Sequence, residues 1–241
     1  MTTRDLLGTN LLIKSSPEKA FNLDTILLSD FTRVPKNTKL IYDFGCGNGS
    51  IMLYLSQKTT VDIMGIEIQK HRFLQAKENI LINKLSSRLK VINEDINLFR
   101  GDKADLIVSN PPYFKVNNKT KQSIDPDMLI AKHEVLLNLE SLIVAVRNNI
   151  NHGGLFFMIH QASRLDEITI LLNKYDFSLK RIRFVHPFIN KIPNQVLIEA
   201  KFKGKPFLNV MPPLIQYDKR EVLSKEMNLI YKGRSYHENS K

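Results

Sequence analysis

The chain has 241 residues, of which 43% are hydrophobic and 24% charged, a composition typical of one globular domain or one domain with an appendage, and incompatible with disorder throughout. Its single cysteine, Cys46, excludes an intrachain disulfide framework and a multi-cysteine zinc site, and we expect no metal. The sequence shows neither a signal-peptide pattern nor an apolar run approaching the roughly 18 residues of a membrane helix. These features favour a cytoplasmic protein that does not associate with a membrane.

Positive charge is concentrated in the last quarter of the chain. The formal net charge is +11, from 35 Lys and Arg against 24 Asp and Glu. Residues 178–241 contain 13 of the basic residues and 5 of the acidic ones, a net charge of +8. Scattered lysines are commonly a solvated surface, and nucleic acid becomes the better interpretation only if a binding or catalytic site supports it.

Strand-like and helix-like segments alternate along the chain. A short strand and a helix over 24–31 are predicted to form an N-terminal lid, residues 1–38. In the core, residues 39–205, strands are predicted over 39–44, 61–68, 89–93, 105–110, 154–160, 179–185 and 195–202, and helices over 50–57, 70–83, 128–150 and 164–174. This order predicts an α/β fold with a seven-stranded, mostly parallel sheet and an antiparallel edge hairpin. Residues 206–218 lack a helical period, and residues 206–241 are predicted to form a basic extension that packs on the core.

A glycine-rich turn, DFGCGNG over 43–49, follows the first core strand and precedes a helix. Gly45, Gly47 and Gly49 permit a tight turn and the close approach of a ligand. Their spacing differs from the dinucleotide fingerprint, and the Gly-Lys-Ser/Thr of a phosphate loop is absent, which disfavours NAD and ATP. Taken alone, the motif is equally compatible with a tight turn that binds nothing.

Two carboxylates lie at or just after the ends of the next two predicted strands. Glu67 can accept hydrogen bonds from both hydroxyls of a ribose, and Asp95 can accept one from an adenine amino group. Ile68 and Ile96 lie next to these acids and could clamp the faces of an adenine ring, although such residues are more commonly core. An acid near a helix start also interacts favourably with the helix dipole, so Glu67 alone does not establish an adenosyl ligand.

The motif Asn110-Pro111-Pro112-Tyr113 ends the strand predicted over 105–110. Two prolines remove two N–H donors, so the loop presents acceptors, namely the Asn110 side-chain oxygen and nearby carbonyls. Acceptors suit an amino group, because holding both N–H bonds directs the nitrogen lone pair at an electrophile. Tyr113 offers an aromatic face for a base extruded from its stack. The motif therefore predicts chemistry on a planar amino nitrogen.

These motifs, in this order, resemble class I S-adenosylmethionine-dependent methyltransferases that act on an amino nitrogen. The segments FNLDTILLSDF at 21–31, AKHE at 131–134, RFVHP at 183–187 and MPPLIQYD at 211–218 extend the resemblance to the bacterial family that N6-methylates adenine 37 of valine tRNA. The resemblance covers residues 9 to about 231. It implies a Rossmann-like fold, S-adenosyl-L-methionine as cofactor with S-adenosyl-L-homocysteine as product, and direct in-line methyl transfer to a flipped base.

The resemblance also implies residue roles. Asp43, Gly45 and Gly47 would hold the methionyl part of the cofactor, Glu67 its ribose and Asp95 its adenine. Asn110 and the Pro111 carbonyl would hold the target amine, and Tyr113 would stack on the adenine. The implied cofactor-binding set is Asp24, Thr25, Asp43, Gly45, Gly47, Gly49, Glu67, Ile68, Asp95, Ile96 and Asn110, and the implied catalytic set is Asn110, Pro111, Pro112 and Tyr113. Cys46 stands where the family often has threonine, and we interpret it as a small buried residue.

Transfer RNA is the expected partner, and no obligate protein partner is evident. Lys115, Lys119 and Lys121 would meet phosphates beside the flipped base, with Arg181 and Arg183 as further candidates, although a solvated surface explains each of them almost as well. His133 lies beside Glu134 in a predicted helix, and we leave it out of the catalytic set.

Other functions stay open. A release-factor glutamine methyltransferase also has NPPY, but it usually carries an N-terminal helical domain, for which the 38 residues before the core leave no room. Charge alone is compatible with a ribosomal-RNA methyltransferase acting on guanine N2 or adenine N6. A non-catalytic RNA-binding protein with a relic methyltransferase fold would lose the acceptors that Asn110 keeps, and a DNA methyltransferase would normally carry a separate target-recognition domain.

Overall fold

A nine-stranded sheet forms the centre of the fold in the computed structural model, which describes residues 2–15, 23–112 and 138–234. The strands are β1 (Thr2–Asp5), β2 (Leu12–Ser15), β3 (Leu40–Phe44), β4 (Asp62–Ile66), β5 (Leu89–Ile92), β6 (Ala104–Ser109), β7 (Ile150–Gln161), β8 (Phe177–His186), β9 (Gln195–Phe202), β10 (Asn209–Val210), β11 (Leu214–Ile215), β12 (Tyr217–Lys219) and β13 (Val222–Leu223). The helices are α1 (Leu23–Phe31), α2 (Ser50–Ser56), α3 (Lys70–Ile82), α4 (Leu139–Asn149), α5 (Leu165–Lys174) and α6 (Lys225–Tyr231).

The sheet has the strand order β10-β8-β9-β7-β6-β3-β4-β5, and β11 also pairs with β8. Strands β3 to β7 are mutually parallel, whereas β9 is antiparallel to both β7 and β8. The central strands are continuous apolar runs because helices cover both of their faces. Ile41 of β3 packs with α1, α2, α3 and α6, and its neighbours Tyr42 and Phe44 pack with α4 and α5 on the other face.

The predicted α/β architecture, with a mostly parallel sheet and an antiparallel pairing of its last two long strands, is confirmed. The predicted count of seven strands was wrong, because β10 and β11 extend the sheet of the described residues beyond β8. Helix α6 was not predicted from the sequence. Helix α6 is capped by Ser224, whose hydroxyl accepts a hydrogen bond from Met227 N at 3.1 Å, and it buries Met227 and Ile230. A seven-residue helix has too few apolar positions to show a period.

The predicted helix over 128–150 is described from its cap at Asn138 onward, and its earlier part lies outside the described residues. None of the helices in the described ranges is long and apolar enough to cross a membrane.

The hairpin β1–β2 packs beside the core and meets the end of α6. Leu6 and Ile13 of this hairpin region are buried in the same cluster as α1 and α2. A Cβ atom placed on Gly8 would lie 2.7 Å from the backbone nitrogen of Gly233, so the two chain segments touch through their backbones. Segments more than 200 residues apart in sequence are therefore in direct contact.

A buried carboxylate ties helix α1 to the sheet. Glu199 of β9 is 1% exposed and accepts hydrogen bonds from Arg33 Nε and from Arg181 Nε, each at 3.0 Å. Arg181 also donates to the Phe31 carbonyl at 2.7 Å, and its guanidinium lies 4.1 Å from the centroid of the Phe31 ring. The end of α1 is thus held over the middle of β8 and β9.

Substitution Glu199→Ala leaves two arginines without their anion and is expected to lower the free energy of unfolding by about 3 kcal/mol. Urea denaturation followed by circular dichroism measures this loss. The control is Arg147→Ala, which removes an exposed ion pair with Asp176 at 3.3 Å and should cost less than about 1 kcal/mol. Equal losses of unfolding free energy in the two variants would contradict the conclusion that Glu199 holds α1 against the sheet.

Candidate active site

The carboxyl ends of four parallel strands lie side by side at one edge of the sheet. Asp43 of β3 is paired in register with Gly65 of β4 and Val108 of β6. The Ser109 hydroxyl donates to the Phe44 carbonyl at 2.8 Å, which joins the ends of β6 and β3. Glu67 N donates to Ile92 O at 3.0 Å, which joins the ends of β4 and β5. The residues predicted to bind the cofactor and the amine follow these strands and are brought to one edge.

The glycine turn is held open beside this edge. Gly45, Gly47 and Gly49 have φ angles of 72°, 58° and 81°, in the left-handed region that favours glycine. The backbone nitrogens of Gly45 and Cys46 donate to the Ile66 carbonyl at 2.9 and 3.2 Å. A Cβ atom added at Gly45 would meet no atom of the described residues within 4 Å, so the backbone of the turn is accessible to a ligand there.

Asp43 is a fully buried carboxylate without a hydrogen-bond partner in the described part of the chain. Its exposure is 0%, and neither of its oxygens has a hydrogen-bond partner among the described residues. Burial, together with the nearby charge of Glu67, raises the pKa of Asp43 well above its usual range. A buried acceptor pair is costly when unsatisfied, so this site suits a ligand that brings a cationic or N–H group. The methionyl end of S-adenosylmethionine, with its ammonium and sulfonium charges, fits that requirement.

Glu67 connects the glycine turn to the start of α3. Its side chain is 5% exposed, Oε2 accepts from Gly47 N at 2.8 Å, and Oε1 accepts from Gln69 N at 2.8 Å. Each carboxylate oxygen can accept a second hydrogen bond, so both ribose hydroxyls still have an acceptor. Glu67 therefore has a local structural role that is compatible with its predicted role in holding the ribose.

Asp95 lies in the loop after β5 and is half-buried. Its Oδ1 accepts from the backbone nitrogen and the side-chain amide of Asn97, both at 2.8 Å. Ile68 is 43% exposed beside Glu67, and its contact with a ligand stays a prediction, whereas Ile96 is buried with Phe99 in the core. Contact of Ile96 with an adenine ring stays a prediction.

Asn110 follows β6 and is half-buried, Pro111 is buried and Pro112 is exposed. Neither proline has an N–H group, so this backbone stretch has carbonyl acceptors without competing donors. The remaining sequence-predicted residues of this region lie outside the described residues: Tyr113, Lys115, Lys119, Lys121 and His133.

Asp24 and Thr25 lie in the first turn of α1. Thr25 is buried and Asp24 is half-buried. Helix α1 packs on α2, which starts at the glycine turn, and on β7, which is adjacent to β6. The position of Asp24 and Thr25 over the cofactor stays a prediction.

Arg181 and Arg183 have internal partners. Arg181 is bound to Glu199, as described above. Arg183 is 4% exposed, donates to the Pro212 carbonyl at 3.0 Å and pairs with Glu226 at 2.7 Å. These contacts give both guanidinium groups a structural role, and their contact with RNA stays a prediction.

Several residues that support the site were missed in the sequence. Asn93 donates to the carbonyls of Glu67 and Ile68 at 2.8 and 2.9 Å and fixes the loop after β4. A Cβ atom at Gly65 would lie 2.6 Å from the sulfur of Cys46, so this position has no space for a side chain. Glycine inside a predicted strand and asparagine after one are signals that could have found both. In the described part of the chain, no group of three or more His, Cys, Asp or Glu side chains could hold a metal ion.

Comparison with known proteins places the chain in a family. The model of the family "Methyltransferase small domain" matches residues 22–166. A tRNA1(Val) (adenine(37)-N6)-methyltransferase of Tolumonas auensis is 32% identical over 177 residues, 73% of each chain. One of Aeromonas hydrophila is 30% identical, also over 177 residues and 73% of each chain.

Solved structures share the fold at low sequence identity. A predicted O-methyltransferase of Agrobacterium tumefaciens has a TM-score of 0.71 at 16% identity, covering 88% of this chain and 97% of its own. TYW2 of P. horikoshii, in complex with MeSAdo, has a TM-score of 0.59 at 15% identity, covering 84% and 72%. Since the family model matches more than half of the chain and the Tolumonas relative is 32% identical over 73% of it, the chain belongs to the methyltransferase small domain family and, within it, to the tRNA1(Val) (adenine(37)-N6)-methyltransferases.

Proposed function

We propose that this protein is an S-adenosylmethionine-dependent methyltransferase that methylates N6 of adenine 37 in valine tRNA, as the names of its relatives state for them. The observation that carries the proposal is the arrangement at the sheet edge. Among the described residues, the buried carboxylate of Asp43 has no hydrogen-bond partner beside the open glycine turn that follows β3. The segment from Asn110 to Pro112, which presents the Asn110 amide oxygen and the proline carbonyls, follows the adjacent strand β6. Neighbouring strands are about 4.8 Å apart, so a cofactor and an amine bound at these two positions are close together. A tRNA substrate agrees with the predicted cytoplasmic location.

The residues on the cofactor side of the site bind and orient S-adenosylmethionine. When bound, S-adenosylmethionine supplies an electrophilic methyl group. Asp43 and the glycine turn hold the methionyl part, Glu67 accepts from the ribose hydroxyls and Asp95 accepts from the adenine amino group. Burial raises the pKa of the Cys46 thiol well above its usual range, so this side chain stays neutral and does not act as a nucleophile.

The amine-side residues direct a nitrogen lone pair. The Asn110 side-chain oxygen and the Pro111 carbonyl each accept a hydrogen bond from one N–H group of the 6-amino group. This arrangement turns the lone pair of the amino nitrogen away from the ring plane. Stacking on Tyr113 stays a prediction. The proton can leave after transfer, so no general base is required. His160, at the end of β7, is unsuited to that task because burial lowers its pKa to about 4 and its Nδ1 already accepts from Gln161 N at 2.8 Å.

The same sheet edge continues toward the end of the chain as a surface for RNA. Val185 of β8 pairs with Gln195 of β9, which pairs with Gln161 of β7, so the loop 187–194 lies at the edge that carries Asn110. Strand β11 pairs in parallel with the end of β8 and leads into the β12–β13 hairpin at this edge. From β6 to β11 there are four strand spacings, or about 19 Å, which an RNA bound at Asn110 can span.

We define the RNA rim as Phe188, Lys191, Tyr217, Lys219 and Arg220. The three cations are exposed. The Phe188 and Tyr217 rings are half-buried, with centroids 5.8 Å apart, which provides an aromatic surface of the type on which unpaired bases stack.

We also propose that residues 206–241 form an extension that packs on the core, residues 39–205, with residues 1–38 as a lid. The Arg183–Glu226 ion pair and the buried side chains of α6 support the packing of the extension.

The proposed reaction is tested with labelled S-adenosylmethionine and, in parallel, unmodified valine tRNA and total ribosomal RNA. We expect label in tRNA as N6-methyladenosine on nucleoside analysis, and none in a tRNA transcript whose adenine 37 is replaced by guanine. Label in ribosomal RNA alone would refute the assignment in favour of a ribosomal-RNA substrate.

The division of roles between the two sides of the site is tested with Asn110→Ala and Glu67→Ala. Asn110→Ala is expected to lower kcat by about 100-fold or more, because it removes an acceptor used in transfer. It should weaken the Kd for S-adenosylhomocysteine, measured by calorimetry, by clearly less than Glu67→Ala does, because the Asn110 amide oxygen is assigned mainly to the target amine. Glu67→Ala should weaken that Kd by about tenfold or more through the loss of charged hydrogen bonds. Equal losses of cofactor affinity would contradict the division.

The rim is tested by Lys191→Gln, Lys219→Gln and Arg220→Gln in one chain. We expect weaker tRNA binding in a filter assay and a slope of log affinity against log salt that is shallower by about 2, from three lost phosphate contacts. The matched control replaces Lys201, Lys203 and Lys205 with Gln, which removes the same charge at the opposite edge, where β8 begins and β9 ends. If both triple variants lose affinity equally, net charge and not the rim explains binding.

A further inference from the structure

The buried side chain of Asn79, on α3, joins the hairpin β1–β2 to the glycine turn. Its exposure is 0%. Its Oδ1 accepts from Lys14 N at 2.7 Å, and its Nδ2 donates to Lys14 O at 3.2 Å and to Asn48 O at 2.9 Å. One amide therefore bonds both backbone groups of a residue in β2 and a carbonyl in the middle of the proposed cofactor turn.

Asn83 forms the equivalent bonds one helical turn later. Its Oδ1 accepts from Leu12 N at 2.8 Å, and its Nδ2 donates to Leu12 O at 2.8 Å and to Asn79 O at 2.7 Å. Four residues along a helix advance about 6 Å, and two residues along a strand advance about 6.7 Å, so the two amides match alternate residues of β2. The two amides form hydrogen bonds with the backbone N–H and C=O groups of Leu12 and Lys14, as a neighbouring strand would.

Asn79 differs from Asn83 in its contact with the turn. One face of α3 carries Arg72, Ala76 and Asn79 and lies along the glycine turn. The Arg72 guanidinium would lie 3.2 Å from a Cβ atom on Gly47, and the Ala76 Cβ 3.3 Å from one on Gly49. The first two residues contact the turn by packing, and Asn79 adds a directional hydrogen bond to it.

The turn needs such support because of its composition. Asn48 lies between two glycines with positive φ, and glycine loses more conformational freedom on ordering than any other residue. A turn that is ordered before the ligand arrives does not pay this entropy on binding. The hairpin itself is held firmly, since the Tyr54 hydroxyl donates to the Leu7 carbonyl at 3.0 Å and Lys14 pairs with Glu78.

We propose that Asn79 is a positioning residue for the cofactor, through which the hairpin β1–β2 holds the glycine turn in its binding conformation. The inference rests on the proposed function only in that the turn binds S-adenosylmethionine. It assigns residues 2–15 a part in cofactor affinity, although they contribute no group to the reaction.

The test compares Asn79→Leu with Asn83→Leu. Each variant removes three hydrogen bonds and keeps a side chain of similar size, but only the first loses the bond to the turn. We expect a larger loss of Tm for Asn79→Leu, because Asn79 is fully buried, whereas the bonds between Asn83 and Leu12 are exposed and water can replace them. Calorimetry should give a Kd for S-adenosylhomocysteine weaker by about tenfold for Asn79→Leu and within about twofold of wild type for Asn83→Leu, since a single hydrogen bond accounts for roughly that factor. The KM for S-adenosylmethionine should rise in Asn79→Leu while kcat at saturation is retained.

Equal changes in Kd for the two variants, or no change for Asn79→Leu, would overturn the inference. If Asn79→Leu does not fold, Asn79→Ser, which is too short to reach Asn48, replaces it in the same comparison. Tyr54→Phe loosens the hairpin from α2 while the hydrogen bonds of Asn79 stay in place, so it should weaken the Kd by less than Asn79→Leu does. If wild-type protein fails to bind S-adenosylhomocysteine, the proposed function fails instead, so the two failures are distinguishable.

Discussion

Parallel pairing of β6, β3, β4 and β5 determines where the chemistry of this protein can occur. Parallel strands end at the same edge, so polar residues far apart in sequence, from Asp43 to Asn110, become neighbours there. Side-chain bonds then fix the strand ends relative to one another, notably from Ser109 to Phe44 and from Asn93 to Glu67. The sheet thus determines where the site residues lie, and the loops that follow its strands add the remaining groups.

The buried side chain of Asp43 lowers the stability of the folded chain. A carboxylate buried without hydrogen bonds destabilises the folded chain, and its raised pKa reflects that cost. A ligand with a positive charge beside it recovers part of this energy on binding. The protein thereby accepts lower stability in exchange for a ligand-binding group that needs no rearrangement, as is common at functional sites.

Much of the fold and part of the site could be predicted from the sequence. Buried parallel strands are long apolar runs, and the glycines after β3 signal a turn, so those features were found. The two-residue strands β10 and β11 carry no alternation, and α6 buries too few residues to show a period. Arg181 and Arg183 belong to a basic segment that suggests an exposed surface, and only the fold reveals Glu199 and Glu226 beside them. Asn79 was missed because asparagine within a helix usually faces solvent, and its partners in β2 are 65 residues away in sequence.

The contact between Gly8 and Gly233 bears on how the protein matures during translation. The hairpin β1–β2 is synthesised early, but it can close against α3 only once Asn79 and Asn83 exist, and against the end of α6 only after residue 233 has been made. Contacts of such long sequence separation form late in folding. The hairpin therefore gains its last contacts only when nearly the whole chain has been synthesised.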